Sequence, residues 1–222
     1  MFQDEYSRWC QAELVDFDLK RELTEIAGDE DAIRERFAAS LSFGTAGLRG
    51  TLGVGTNRMN IWVVRQATQG IADWVKTKGG SQTVAISYDS RLKGWNFARD
   101  AASVLAANGI QVRLYDELMP VPALSFATRY YNCNAGIMIT ASHNPAKYNG
   151  YKAYGADGCQ VTDEDAAIVY AAIQKTDVLG GAKFMSFAEG VEKGLIRFVE
   201  DACKEAFYAA VESRQVRPGI CK

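Results

Sequence analysis

AGIMITASHNPAKYNGYKAYG, running from Ala135 to Gly155, holds two strand-like runs with a polar loop between them. AGIMITA (Ala135 to Ala141) is apolar enough for a buried strand, and GYKAYG (Gly150 to Gly155) reads as the next one. About eight residues separate them. That is too few for the crossover helix that joins parallel neighbours, so the two strands are expected to be antiparallel if adjacent.

Upstream, strands and helices alternate in the pattern of a parallel sheet. TVAISYD (Thr83 to Asp89) and IQVRLYD (Ile110 to Asp116) read as buried strands. Helical periodicity runs from about Ile61 to Lys78 and from Asn96 to the Asn108-Gly109 stop, and Pro120 and Pro122 open a shorter helix. Thr162, followed by three acidic residues, caps another. These elements predict an α/β fold: a three-layer α/β/α sandwich around a mixed, mainly parallel four-stranded sheet with one antiparallel edge strand.

An N-terminal helical arm precedes it, with Trp9, Leu14 and Phe17 at helical spacing and a second helix from Asp29-Glu30-Asp31. The glycine-rich LSFGTAGLRGTLGVGTNRMN (Leu41 to Asn60) predicts a short strand, a loop and a return strand. After Gly180-Gly181 a helix is expected from about Val199 to Ser213, and ESRQVRPGICK then reads as a linker. The expected divisions are residues 1–40, 41–190 and 191–222.

Lysine plus arginine total 25 against 27 aspartate plus glutamate, a net charge of −2, which removes the footprint of a nucleic-acid binder or a polybasic membrane-surface protein. The single histidine, His143, excludes multi-histidine metal centres. Cys10, Cys133, Cys159, Cys203 and Cys221 are scattered, with no C-x-x-C pair. No membrane-length apolar run or signal peptide is evident, so a reduced, cytoplasmic, soluble protein is expected.

Chemistry-bearing residues concentrate after the third strand, where an α/β sheet collects its ligands. Ser142, His143, Asn144, Lys147, Asn149 and Lys152 fall within eleven positions. A serine hydroxyl among cations suits phosphoryl transfer, although Asn144-Pro145 and Asn149-Gly150 are also ordinary turn formers. A serine hydrolase fits poorly, because there is no G-x-S-x-G elbow. FGTAGLRG (Phe43 to Gly50) is a second candidate: its glycines permit close backbone approach to an anion, Arg49 offers a forked donor and Thr45 a hydroxyl. Asp89-Ser90-Arg91, just after a strand, is a third candidate, set against its plain reading as a helix-entry loop.

FGTAGLRG, YDSR and TASHNPAKYNGYKAYGADG together, in this order, resemble the α-D-phosphohexomutases of the phosphoglucomutase/phosphomannomutase group over roughly residues 40–222. The resemblance implies an intramolecular phosphotransferase in which Ser142 is phosphorylated and exchanges its phosphoryl group with a hexose phosphate. Hexose 1-phosphate and hexose 6-phosphate would thereby interconvert through a bound bisphosphate such as glucose 1,6-bisphosphate. By motif position it implies catalytic roles for Ser142, His143 and Lys152, and phosphate binding by Thr45, Arg49 and Asn144. Magnesium would be bound through the phosphate oxygen on Ser142.

Family members have four domains and more than twice this length. Their D-x-D-x-D-R metal loop, G-E-x-S sugar loop and R-x-S-G-T phosphate loop are absent here. The expectation is therefore a phosphoserine domain that binds magnesium weakly, is inactive alone and partners with C-terminal domains. The alternative is a stand-alone domain binding sugar phosphates or a partner protein.

Overall fold

Three short helices open the chain: α1 (Phe2–Gln11), α2 (Phe17–Glu25) and α3 (Glu30–Phe37). In this computed structural model, which describes residues 1–217, Asp16 and Asp29 cap α2 and α3. Each carboxylate accepts a backbone N–H at 3.0 Å. The arm thus has one helix more than its periodicity predicts. Phe17 is the first residue of α2 and stays 74% exposed, because Leu19 and Leu23, one turn apart, take the inward face.

The strand β1 (Leu48–Thr51) follows, but the predicted return strand shrinks to an isolated bridge between Leu52 and Met59. The buried Asn60 explains the loss. Its Nδ2 donates to the carbonyls of Gly53 and Gly55 at 2.9 Å, while its Oδ1 accepts from Trp62 and Val63 N–H groups. The loop is folded back onto the start of helix α4 (Ile61–Thr77) instead of extending beside β1.

Then come β2 (Thr83–Tyr88), α5 (Gly94–Ala107), β3 (Gln111–Leu114), α6 (Val121–Tyr130), β4 (Ala135–Ile139) and β5 (Tyr148–Gly155). The helix α7 (Asp163–Lys175), capped by Thr162, precedes α8 (Phe187–Glu192), β6 (Ile196–Phe198) and α9 (Asp201–Glu212).

The α/β class and the mixed, mainly parallel sheet are as predicted, with six strands among the described residues where four are expected, in the order β1-β5-β4-β2-β3-β6. β2 pairs in parallel with β3 and β4, and β6 extends that side in parallel with β3. β5 runs antiparallel to β4 but is not the edge: β1 adds outside it, antiparallel to β5. Of the two extra strands, β1 lies in the glycine-rich segment where strand is expected but not as part of the sheet, and β6 is only three residues long, too short for a readable alternation.

Side chains alternate cleanly between two cores. Val84, Ile86, Ile137, Tyr151 and Ala153 enter the larger one with α4 and α5. Ala85, Met138 and Tyr154 enter the smaller one with Ala123, Leu124 and Ala127 of α6. Val199, Cys203 and Phe207, from the segment after residue 191, also belong to this smaller core. The expected linker's last five residues, 218–222, with Cys221, lie outside the described residues. Cys10, Cys133, Cys159 and Cys203 are free, and no helix among the described residues is long and apolar enough to cross a membrane.

The arm is built into the larger core. Trp9 is fully buried and meets the Phe37 ring edge-on at 5.8 Å. Glu22 binds Arg36 at 3.0 Å and accepts the Val54 N–H at 2.7 Å, tying α2 and α3 to the glycine loop. Trp9→Ala is therefore expected to lower the unfolding free energy of the whole chain by about 3–5 kcal/mol. Urea denaturation should show one shifted transition, whereas a separate early step with an unmoved main transition would mark the arm as an appendage.

Candidate functional site

The backbone leaves the sheet abruptly at Ser142. Thr140 N still bonds the Gly150 carbonyl at 3.0 Å, extending the β4–β5 ladder by one rung. Ser142 then takes φ +54°, the left-handed region, which costs a non-glycine residue about 1–2 kcal/mol. Its N–H donates to Thr140 Oγ1 at 2.9 Å, and the Thr140 hydroxyl donates to Asp89. The turn closes with Asn144 N on the Ala141 carbonyl and Tyr148 N on the Pro145 carbonyl. The result is an exposed hydroxyl on a braced loop.

β5 returns the chain beneath that hydroxyl. Lys152 lies opposite Met138 in the register, and its Nζ donates to Ser142 Oγ at 2.8 Å. β1 completes the arrangement by setting Arg49 opposite Gly150, on the same sheet face as Lys152. Arg49 Nη1 donates to Asn144 Oδ1 at 2.7 Å.

Two glycines make this three-strand stack possible. A Cβ on Gly150 would stand 2.6 Å from the Thr140 carbonyl oxygen and 2.8 Å from that of Leu48. Gly47, at φ +76°, would place a Cβ 1.9 Å from the Tyr151 carbonyl oxygen. The close approach that the FGTAGLRG glycines allow is thus, at Gly47, one of backbone to backbone.

Ser142, Asn144, Arg49 and Lys152 come together. His143 is exposed, and neither its ring nor the half-buried Thr45 hydroxyl hydrogen-bonds to the described residues. Lys147 lies over the Tyr148 ring, 5.9 Å from its centroid. Arg91, in a segment that is a candidate but reads more as a helix-entry loop, is the residue that sequence reasoning undervalued: its guanidinium reaches four carbonyls of the serine loop. The YDSR motif was the available signal.

Burial holds the Lys152 ammonium below its ordinary value, the Arg49 charge lowers it further, and Asp89 opposes both. Among the described residues no carboxylate is hydrogen-bonded to Ser142; Asp89 is engaged by Thr140 and by the Arg91 N–H. Among the described residues no group of three histidine, cysteine or acidic side chains could hold a metal ion. A hydroxyl flanked by two cations fits an anion, and it does not make a resident cation site.

The unfolded chain holds the Lys152 proton more tightly than the folded one. The charged lysine is therefore a cost to stability at neutral pH, relieved as pH rises from its depressed value towards the ordinary 10.5. Lys152→Met should leave the neutral-pH melting temperature unchanged or higher. Inorganic phosphate should raise the melting temperature of the wild-type chain and not that of the variant.

Residues 40–179 match the family model described as phosphoglucomutase/phosphomannomutase, alpha/beta/alpha domain I. A phosphoglucomutase of Staphylococcus haemolyticus (strain JCSC1435) is 46% identical over 132 residues, covering 60% of this chain and 24% of that protein. One from Staphylococcus saprophyticus is 38% identical over 177 residues, 80% of this chain and 32% of that protein. A crystal structure from Thermus thermophilus, of a protein assigned as a phosphomannomutase, aligns with a TM-score of 0.58 at 30% identity, covering 70% of this chain and 35% of that one. The chain spans about a quarter to a third of the length of these two curated relatives.

Proposed function

This chain belongs to the phosphoglucomutase/phosphomannomutase family, whose alpha/beta/alpha domain I it carries, and from that premise we propose that Ser142 is the phosphoryl carrier of a hexose-phosphate mutase. The observation that carries the reading is the 2.8 Å hydrogen bond from Lys152 Nζ to Ser142 Oγ. When the phosphoryl group leaves Ser142, the bond from Oγ to phosphorus breaks and negative charge collects on Oγ. An ammonium already bonded there stabilises that charge and can supply the proton.

A hydroxyl oxygen of the bound hexose phosphate forms the new bond to phosphorus as its proton passes to water, giving a hexose bisphosphate, and water returns to Lys152 the proton it gave Ser142 Oγ. Reversal at the other phosphate returns a phosphoryl group to Ser142 and releases the isomer. Phosphoryl transfer demands mainly positioning and charge neutralisation. Arg49, aligned through Asn144, faces the phosphate oxygens, Thr45 adds a hydroxyl donor, and His143 stands exposed next in sequence to the reacting serine. The donor set does not fit magnesium without a phosphate. A magnesium ion would find only the phosphoserine oxygen on these residues, its other ligands coming from elsewhere in the protein.

The short span relative to the curated relatives supports a further part of the proposal: substrate discrimination and closure of the cleft rest with other domains, and residues 1–222 alone are inactive. A cytoplasmic setting accords with hexose-phosphate chemistry. Ser142→Ala in the full-length protein should reduce turnover by a factor on the order of 10⁴ or more. Intact mass should show one phosphoryl group gained from glucose 1,6-bisphosphate by the wild type and none by the variant. Full activity in Ser142→Ala would falsify the reading.

A further inference from the structure

The loop after β2 grips the loop after β4 through one side chain. Arg91 Nη2 donates to the carbonyls of Ser142 at 2.7 Å and Asn144 at 2.6 Å, and Nη1 donates to those of Pro145 at 3.1 Å and Tyr148 at 2.9 Å. The side chain is only 12% exposed, and its Nε, buried without a hydrogen-bond partner, sits 3.7 Å from the Asp89 carboxylate. Asp89 in turn accepts from the Arg91 N–H and from Thr140 Oγ1, the atom that receives the Ser142 N–H. Both sides of the left-handed Ser142 are thereby held: its N–H through Thr140 and Asp89, its carbonyl by Arg91.

We infer that Arg91 is a positioning residue for the phosphoryl-carrying serine: it fixes the loop backbone so that Ser142 Oγ stays within reach of Lys152. The inference rests on Ser142 being the phosphoryl carrier. A planar fork with donors on two nitrogens can span four carbonyls from residue 142 to residue 148, whereas the ammonium of lysine presents its donors from a single point. Arg91 touches neither the Ser142 hydroxyl nor Lys152, so its effect passes through the backbone.

Hydrogen exchange on the 222-residue chain and kinetics on the full-length protein test this together. Arg91→Lys and Arg91→Ala should speed amide exchange across residues 142–148 while β2 and β4 stay protected. In the full-length protein they should lower kcat by about 10- to 100-fold, with KM for the hexose phosphate within about twofold. Low guanidinium concentrations should restore part of the kcat of Arg91→Ala and none of that of Arg91→Lys, whose side chain occupies the space.

Wild-type kcat and loop exchange in both variants would overturn the inference while leaving Ser142→Ala inactive and the carrier reading intact. Exchange rising across the whole sheet, with kcat per folded molecule unchanged, would also overturn it, reducing Arg91 to general fold support. Activity retained in Ser142→Ala would instead remove the carrier reading beneath it.

Discussion

Between Ile139, the last residue of β4, and Tyr148, the first of β5, the chain has only the segment Thr140 to Lys147 in which to turn. A connection that short permits an antiparallel return and no other. The return brings position 152 back below position 142, and it leaves the outer edge of β5 open to pair with β1. Arg49, Ser142 and Lys152 therefore meet because one loop is short. The neighbouring backbones touch closely enough at Gly47 and Gly150 that a side chain at either position would collide with a carbonyl.

This loop and the strand beneath it each carry a local cost. Ser142 sits in the left-handed region, and Lys152 is held charged against burial and against Arg49. Neither feature favours folding, and both sit where an anion would be welcomed. The bracing comes from next door. Because β2 and β4 pair in parallel, the loops that follow them emerge side by side at their carboxyl ends, and Asp89 and Arg91 reach across that gap. An anion seated between Arg49 and Lys152 would remove their mutual repulsion, coupling occupancy of the site to its stability.

Much of the core was legible along the chain. β2 and β4 are buried along their whole length and show as mainly apolar runs, and α4, α5 and α7 have a cap or stop that their sequences announce. The sheet's two outer strands were not legible as such: residues 41–60 are expected to hold strand but not to add it to the sheet, and β6 is three residues long. At the site, Ser142, Arg49, Asn144 and Lys152 could be picked out by residue type. YDSR marked Arg91 as a candidate, but nothing in it says that its partners are four carbonyls some fifty residues further on.

Local spacing and residue chemistry alone determined the α/β class, the antiparallel turn after the third predicted strand and the concentration of cations around a serine, because each depends on neighbours within about ten positions. The six-strand order, the burial of the N-terminal helices and the meeting of residues 49, 91, 142 and 152 were decided only by the tertiary structure. They follow from hydrogen bonds between strand edges and from the exclusion of water by two cores, which couple residues that the chain itself keeps far apart.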